Sequence, residues 1–279
     1  MTHREEFYEE DLFIYHQKGT NYRMLLPHIH DGYELHFTLT DNTVYQIDGR
    51  SYLAKAGTIA AINDNEIHLT AVDPSCIYER IILSFRPCYI EEMLRDFPEI
   101  LRPFRKRQRD FSHCIQLSAQ QVEELEALMT ELRVLTEADG DFAPVFKRKL
   151  KLLEVLGYAA ELYQSSSLGK PAKTRPMSAE LSEIVRYIDD NLREELSLDE
   201  LSTRFFISKT NLIRAFKNET SLTPSRYIAA RRVMKARELL REGLPVSVVS
   251  DLVGYRDQSS FIRVFKQVVG VTPKKYASR

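Results

Sequence analysis

"FISKTNLIRAFKNETSLTPSRY", residues 206–227, is followed 49 residues on by "YRDQSSFIRVFKQVVGVTPKKY", residues 255–276. The shared frame is an aromatic residue, Ile-Arg-x-Phe-Lys, Thr-Pro and Tyr, while the polar residues between differ. In the first copy, Ser197 is the expected N-cap, and Glu200 three residues on completes a capping box. A short helix follows with Leu198 and Leu201 inward, then a tight turn at "RFFIS". Ser208 then caps a second helix with Leu212 and Phe216 inward. Helix, short turn, capped helix is the helix-turn-helix layout. In the second copy Leu252 and Val253 precede the turn glycine Gly254, Asp257 is the cap, and Phe261 and Phe265 point inward. Its turn is one residue longer. The predicted units span about 198–219 and 246–268.

A duplicated scaffold requires repeated apolar residues. It does not require a repeated Arg and Lys on the outer face, yet Arg214 and Arg263 recur, with Lys217 and Lys266 three residues on. Arg bonds guanine bidentately in the major groove, and Lys neutralises phosphate. The residues that differ open each second helix: Lys209, Thr210 and Asn211 in one copy, Gln258, Ser259 and Ser260 in the other. Duplicated scaffold with diverged tips is what two readers of two half-sites need. Between the copies, "TPSRYIAARRVMKARELLREG" is a long helix, with Pro224 at its start and Gly243 past its end. About 18 residues give roughly 27 Å, close to the major-groove repeat of roughly 34 Å. Val233, Ala236, Leu239 and Leu240 supply its packing face, and Arg231, Arg232, Lys235 and Arg237 a basic one.

The net charge of −1 hides an asymmetry. Residues 178–279 hold 18 Lys+Arg against 13 Asp+Glu, net +5; residues 1–177 hold 21 against 27, net −6. A basic third on an acidic remainder fits double-stranded DNA as the partner of that third. The 279 residues predict two domains, and 43% apolar with 28% charged residues is the composition of a soluble globular protein. No apolar run is long enough to span a bilayer, and "MTHREEFYEEDLFIYHQKG" is acidic where a signal peptide is basic and then apolar. Cys76, Cys88 and Cys114 have no CxxC spacing, so no disulfide framework and a cytoplasmic location are expected.

Residues 20–86 read as short strands separated by turn signals such as "DGY", "TDNT" and "NDNE", the pattern of a sandwich or barrel. Beyond residue 88 the period changes. "CYIEEMLRDF" reads as a short helix, and residues 118–138 and 142–164 as two amphipathic helices. The second of these is expected to bury Val145, Leu150, Leu153, Leu156 and Ala160. "SSSLGKPAKTRP" reads as a linker. The fold class is therefore α+β with two domains: a β-barrel with a helical hairpin over 1–164, a linker over 165–177, and an all-α double helix-turn-helix over 178–279.

Residues 178–279 resemble the DNA-binding domain of the AraC/XylS family of bacterial transcription regulators. The resemblance rests on Val249, Ser250, Gly254, Tyr255, Ser260, Phe261, Arg263, Phe265, Lys266, Gly270, Thr272, Pro273 and Tyr276. Ser250 stands where the family has Ala, and Ser221 where it has Gly. The resemblance implies base-reading roles for Arg214, Arg263, Thr210, Asn211, Gln258 and Ser259. It also implies pairing of one hairpin helix with its twin in a homodimer, a small-molecule effector with a sugar as the default, and RNA polymerase as a further partner.

"PHIHDGYELHF" and "AGTIAAINDNEIH" resemble the two cupin motifs. His28, His30 and Glu34 have the HxHxxxE spacing, and His68 lies 11 residues after Gly57. These four and Arg80 are the candidate ligand-binding set. The four are also a candidate divalent-metal site, although sensor cupins keep these letters as pocket-lining residues without metal. An Arg at position 80 suits a carboxylate, a phosphate or a sugar hydroxyl, and equally an exposed ion pair. No P-loop, GxSxG or HExxH is present, so no enzyme is expected. The alternatives are a metal-dependent cupin enzyme fused to a DNA-binding module, and a constitutive DNA binder without effector.

Overall fold

A computed structural model of the chain describes residues 11–20, 22, 30, 32–105, 111–137, 142–166, 174–175, 177–220 and 222–278. Contacts divide it into two compact units, with residues 51–175 in the first and 176–279 in the second. Among the described residues no helix is long and apolar enough to cross a membrane.

The first unit is built from two antiparallel sheets. One holds β1 (Leu12–Gly19), β7 (Tyr78–Phe85), β2 (Tyr33–Thr38), β5 (Thr58–Ile62) and β8 (Cys114–Gln116), in that order. The other holds β6 (His68–Val72), β3 (Thr43–Ile47), β4 (Arg50–Ala54) and β9 (Thr174–Arg175). All six residues of β2 are buried, because the first sheet is covered on both faces. Strand alternation divides its side chains. Leu35, Phe37, Ile59, Ala61, Ile81 and Leu83 join one core with α1 (Ala119–Thr136) and α2 (Phe142–Ser166). The opposite face meets Tyr45, Ile47, Tyr52 and Ala54 of the second sheet. On that second face lie Glu34, His36 and Thr38, and Tyr78, Arg80 and Ile82.

Several local expectations differ from the structure. β1 precedes the first predicted strand, and most of the expected strand at "NYRMLL" lies outside the described residues. The segment after residue 86 forms two short 3₁₀ turns, Pro87–Tyr89 and Pro98–Leu101, each opened by a proline; ten residues are too few to sustain a helix alone. The expected linker 165–177 begins inside α2, and Thr174 and Arg175 pair with Tyr52 and Ser51. Packing turns α2 away from the expected face. Leu152, Val155, Leu156, Ala159 and Leu162 are buried, and Leu150 is exposed.

The second unit is helical: α3 (Ala179–Asp190), α4 (Leu198–Arg204), α5 (Lys209–Thr220), α6 (Pro224–Arg241), α7 (Val246–Leu252), α8 (Gln258–Val269) and α9 (Pro273–Ala277). Caps set most of the starts. Ser197 Oγ accepts from Glu200 N at 3.1 Å, Ser208 Oγ from Asn211 N at 3.3 Å, and Thr223 Oγ1 from Arg226 N at 3.4 Å. The expected capping box at Ser197 is half made, because the Glu200 carboxylate accepts the Tyr187 hydroxyl at 2.9 Å. The complete box stands at the head of α1, between Ser118 and Gln121. Ser221, where the family has Gly, lies outside the described residues.

Of the basic face expected on α6, Lys235 is exposed and paired with Glu238 at 2.8 Å, while the three arginines are engaged within the unit. Arg237 is buried and donates to Tyr276 Oη at 3.1 Å. Arg231 clasps Asp189 through Nε at 2.7 Å and Nη2 at 2.9 Å, and Arg232 donates to the Leu192 and Glu194 carbonyls. These cations hold α3 and the turn after it against α6. Only packing shows that α3 and the turn after it engage Arg231 and Arg232.

Candidate functional site

In the first unit, His30, Glu34 and His68 bring three donor atoms within 4.8 Å of one another, all buried. Glu34 Oε2 lies 2.9 Å from His30 Nε2, 2.7 Å from His36 Nε2 and 3.4 Å from His68 Nε2. Glu34 and His36 reach the interior from β2 and His68 from the first position of β6, so the cluster joins the two sheets. His30 comes from the loop before β2 and bonds the Gly32 carbonyl through Nδ1 at 2.9 Å. Gly32 lets the chain enter there, since a Cβ would sit 2.9 Å from the Phe85 carbonyl oxygen. His28 lies outside the described residues. His36, omitted from the sequence-derived set, belongs to the cluster; its signal was the alternation Glu34, His36, Thr38 on one strand.

Burial alone would raise the Glu34 carboxyl, but the imidazoles of His30 and His36 and their hydrogen bonds hold it well below the usual carboxylate range. Burial pushes His36 down to about 4, against the pull of Glu34. At neutral pH the pair is an ionised carboxylate and a neutral imidazole. His30 and His68 each bond a backbone carbonyl through Nδ1, Gly32 O at 2.9 Å and Glu66 O at 3.1 Å. That leaves both Nε2 atoms aimed at Glu34, the orientation in which histidines ligate metal. The donor set of two imidazoles and a carboxylate therefore fits a divalent cation such as Zn²⁺.

Arg80 is 2% exposed, so the surface ion pair among its readings is excluded. Tyr15, Tyr22 and Tyr78 surround it, and the first unit holds a second network that sequence reading missed. His113 Nε2 is 2.7 Å from Glu66 Oε1, and His113 Nδ1 is 2.7 Å from Tyr52 Oη. Tyr163 of α2 donates to the His113 carbonyl at 2.5 Å. Four sequence-distant segments build this network, so no local pattern announces it.

In the second unit, Lys209, Thr210, Asn211, Arg214 and Lys217 are exposed along α5, as are Gln258, Ser259, Arg263 and Lys266 along α8; Ser260 is half-buried. Lys209 is paired with Asp199, and Arg214 Nη2 donates to Asn211 Oδ1 at 3.0 Å. Asp257 accepts from the backbone of Ser259 at 3.1 Å and Ser260 at 2.8 Å. These bonds, with the Ser260 side chain foremost, hold the Asp257 carboxyl below its usual range.

The family models match in two pieces: an AraC-like ligand binding domain over residues 11–138 and a helix-turn-helix domain over residues 201–279. Among curated proteins, the chain is 24% identical over 250 residues to the HTH-type transcriptional activator RhaS of Escherichia coli, covering 88% of this chain and 85% of RhaS. Among solved structures, ToxT of Vibrio cholerae is 11% identical with a TM-score of 0.40, over 96% of this chain and 97% of ToxT. The C-terminal domain of AraT, a response regulator of Geobacillus stearothermophilus, is 27% identical with a TM-score of 0.36, over 37% of this chain and 88% of that one. This chain belongs to the AraC family of transcriptional regulators: a ligand-binding domain followed by a DNA-binding helix-turn-helix domain, and not an enzyme.

Proposed function

We propose that this AraC-family regulator is an effector-controlled activator that acts as a homodimer and takes its effector between the two sheets of the first unit. The observation that carries the reading is the convergence of His30, Glu34, His36, His68 and Arg80, each 4% exposed or less. Burying polar groups costs free energy that apolar side chains avoid, and the apolar core on the other face of the sheet is complete without them. The lining of imidazole, guanidinium and phenol groups suits a small polar molecule of sugar size. An effector that prefers one arrangement of the dimer shifts its population by the difference in affinity.

The second copy is supported by an uncovered apolar stripe on α2. Phe142, Phe146 and Leu150, four residues apart, are 80%, 47% and 45% exposed, and the two phenylalanine rings stack at 5.9 Å. A two-fold pairing through this stripe gives two DNA-binding domains per molecule. Activation brings in RNA polymerase as a further partner, and the cytoplasm as the location.

A divalent cation on His30, Glu34 and His68 is the second reading, favoured by the two Nδ1–carbonyl bonds that turn both Nε2 atoms inward. Bound there, it would polarise an effector oxygen as a Lewis acid. Metal analysis of the purified chain tests it: near-stoichiometric metal that His68→Ala releases supports the cation, and metal-free protein with full effector response removes it.

The regulatory reading is tested by footprinting the full chain on DNA selected from a random pool. Protection of about two adjacent major grooves per protomer is expected, lost when Arg214 and Arg263 are both changed to Ala. Phe146→Asp should convert dimer to monomer in sedimentation. A footprint of one groove, or a wild-type chain monomeric at every concentration, defeats the respective part.

A further inference from the structure

Every group that the structure gives Arg80 as a partner is neutral. Nη1 donates to Tyr78 Oη at 3.3 Å, and Nη2 donates to Tyr15 Oη at 3.2 Å and Gln17 Oε1 at 3.3 Å. The rings of Tyr22, Tyr78 and Tyr15 stand 4.4, 5.0 and 5.8 Å from Cζ. Nε has no hydrogen-bond partner, and among the described residues no carboxylate lies within the 4.0 Å of an ion pair. The bonds are longer than the roughly 2.9–3.0 Å usual for N–H···O. A guanidinium stays charged at any physiological pH, and a charge removed from water without a counter-charge is strongly unfavourable. Glu34 is the acid that shares this interior, and its Oε2 faces three imidazoles instead.

His36 lies close to Arg80. Thr38 sits directly opposite Arg80 in the β2–β7 register, and His36 is two residues along on the same face. Such diagonal neighbours are roughly 7–8 Å apart at the backbone, within reach of long side chains, so one small molecule can meet both. His36 holds Glu34 through Nε2, and its buried Nδ1 has no hydrogen-bond partner. Since Nε2 donates its proton to the ionised Glu34, Nδ1 of the neutral imidazole is an acceptor, and a hydroxyl can donate to it.

We infer that the effector is a hydroxy acid whose carboxylate pairs with Arg80 and whose hydroxyl bonds His36 Nδ1, with its carbon body against the rings of Tyr15, Tyr22 and Tyr78. The inference rests on the sensor reading above and narrows its effector class. A neutral sugar offers Arg80 hydrogen bonds but no counter-charge. A phosphate ester brings nearly two negative charges to one fixed cation. A carboxylate matches the guanidinium in charge and in planar fork geometry.

The test is thermal melting of the full chain with D-galacturonate, D-gluconate and L-lactate, beside D-galactose, D-glucose, acetate and inorganic phosphate. At least one hydroxy acid should raise Tm by about 3 °C or more at saturating millimolar concentration. Acetate should do less, and the neutral sugars and phosphate nothing. The shift should vanish in Arg80→Met and shrink in Arg80→Lys, which keeps the charge and loses the fork; His36→Leu should reduce it to the acetate level. If Arg80→Met does not fold, Arg80→Lys carries the test, and an undiminished shift there overturns the inference. A neutral sugar that raises Tm while the acids do not overturns it and leaves the sensor reading standing. Silence from all the acids also overturns it, and silence from every probe counts against both.

Discussion

The two helix-turn-helix copies solve one backbone problem with different residues. Each first helix must reverse into the second through a residue with positive φ, and each reversal is closed by a bond from the following N–H back to the last turn. These are Ile207 N to Ser202 O at 3.2 Å and Tyr255 N to Ser250 O at 3.0 Å. In the second copy the positive φ falls on Gly254, at 82°. In the first it falls on Phe206, at 51°, with the side chain 98% exposed. The difference follows from what surrounds each turn. A Cβ on Gly254 would lie 2.5 Å from the Leu192 carbonyl oxygen and 2.8 Å from that of Arg193, whereas the first turn opens to solvent. The duplicated frame fixes the reversal, and local crowding decides whether glycine is obligatory.

Seven substitutions, in four groups, break or sharpen that comparison. Gly254→Ala carries the largest expected effect, since left-handed strain adds to collision with two backbone oxygens. A loss of about 3 kcal/mol or more in denaturant unfolding is expected. A loss below that of a solvent-open glycine would show the turn is free to move.

Next come the shared arginines. Arg214→Ala and Arg263→Ala should each relax discrimination at a different base position by about 1–3 kcal/mol, read from binding to single-base variants of the operator. Lys217→Ala and Lys266→Ala should instead weaken all sequences alike and lower the salt slope by about 0.9 each. Identical behaviour of the Arg and Lys variants would cancel the division between base and phosphate contacts.

The third change concerns the residue where the second copy departs from the family pattern. Ser250 is buried and its Oγ has no hydrogen-bond partner. Ser250→Ala should stabilise the chain by about 1 kcal/mol, the desolvation cost of an unsatisfied hydroxyl; a lower Tm would mean that the hydroxyl is bonded. The smallest effect is expected of Phe206→Gly, up to about 1 kcal/mol of stabilisation, as left-handed strain is relieved and chain entropy subtracts from the gain. A destabilised variant would mean that the Phe206 side chain holds the turn.

The sequence by itself determined the parts that depend on neighbours along the chain. Apolar spacing, caps at Ser208 and Asp257, and Pro and Gly at the ends of α6 define the double helix-turn-helix, because helices are set by contacts three and four residues apart. Alternation placed Glu34 and His36 on one face of β2 for the same reason, since its period is a property of the strand. Only the tertiary structure decided which faces meet. It hid Arg237 beneath Tyr276, turned α2 so that Leu152 and not Leu150 is buried, and closed the Glu66–His113–Tyr52 network from three distant segments. It also left Arg80 buried among tyrosines without an acid beside it. Burial and charge pairing are properties of the space between elements, and no spacing along one element encodes them.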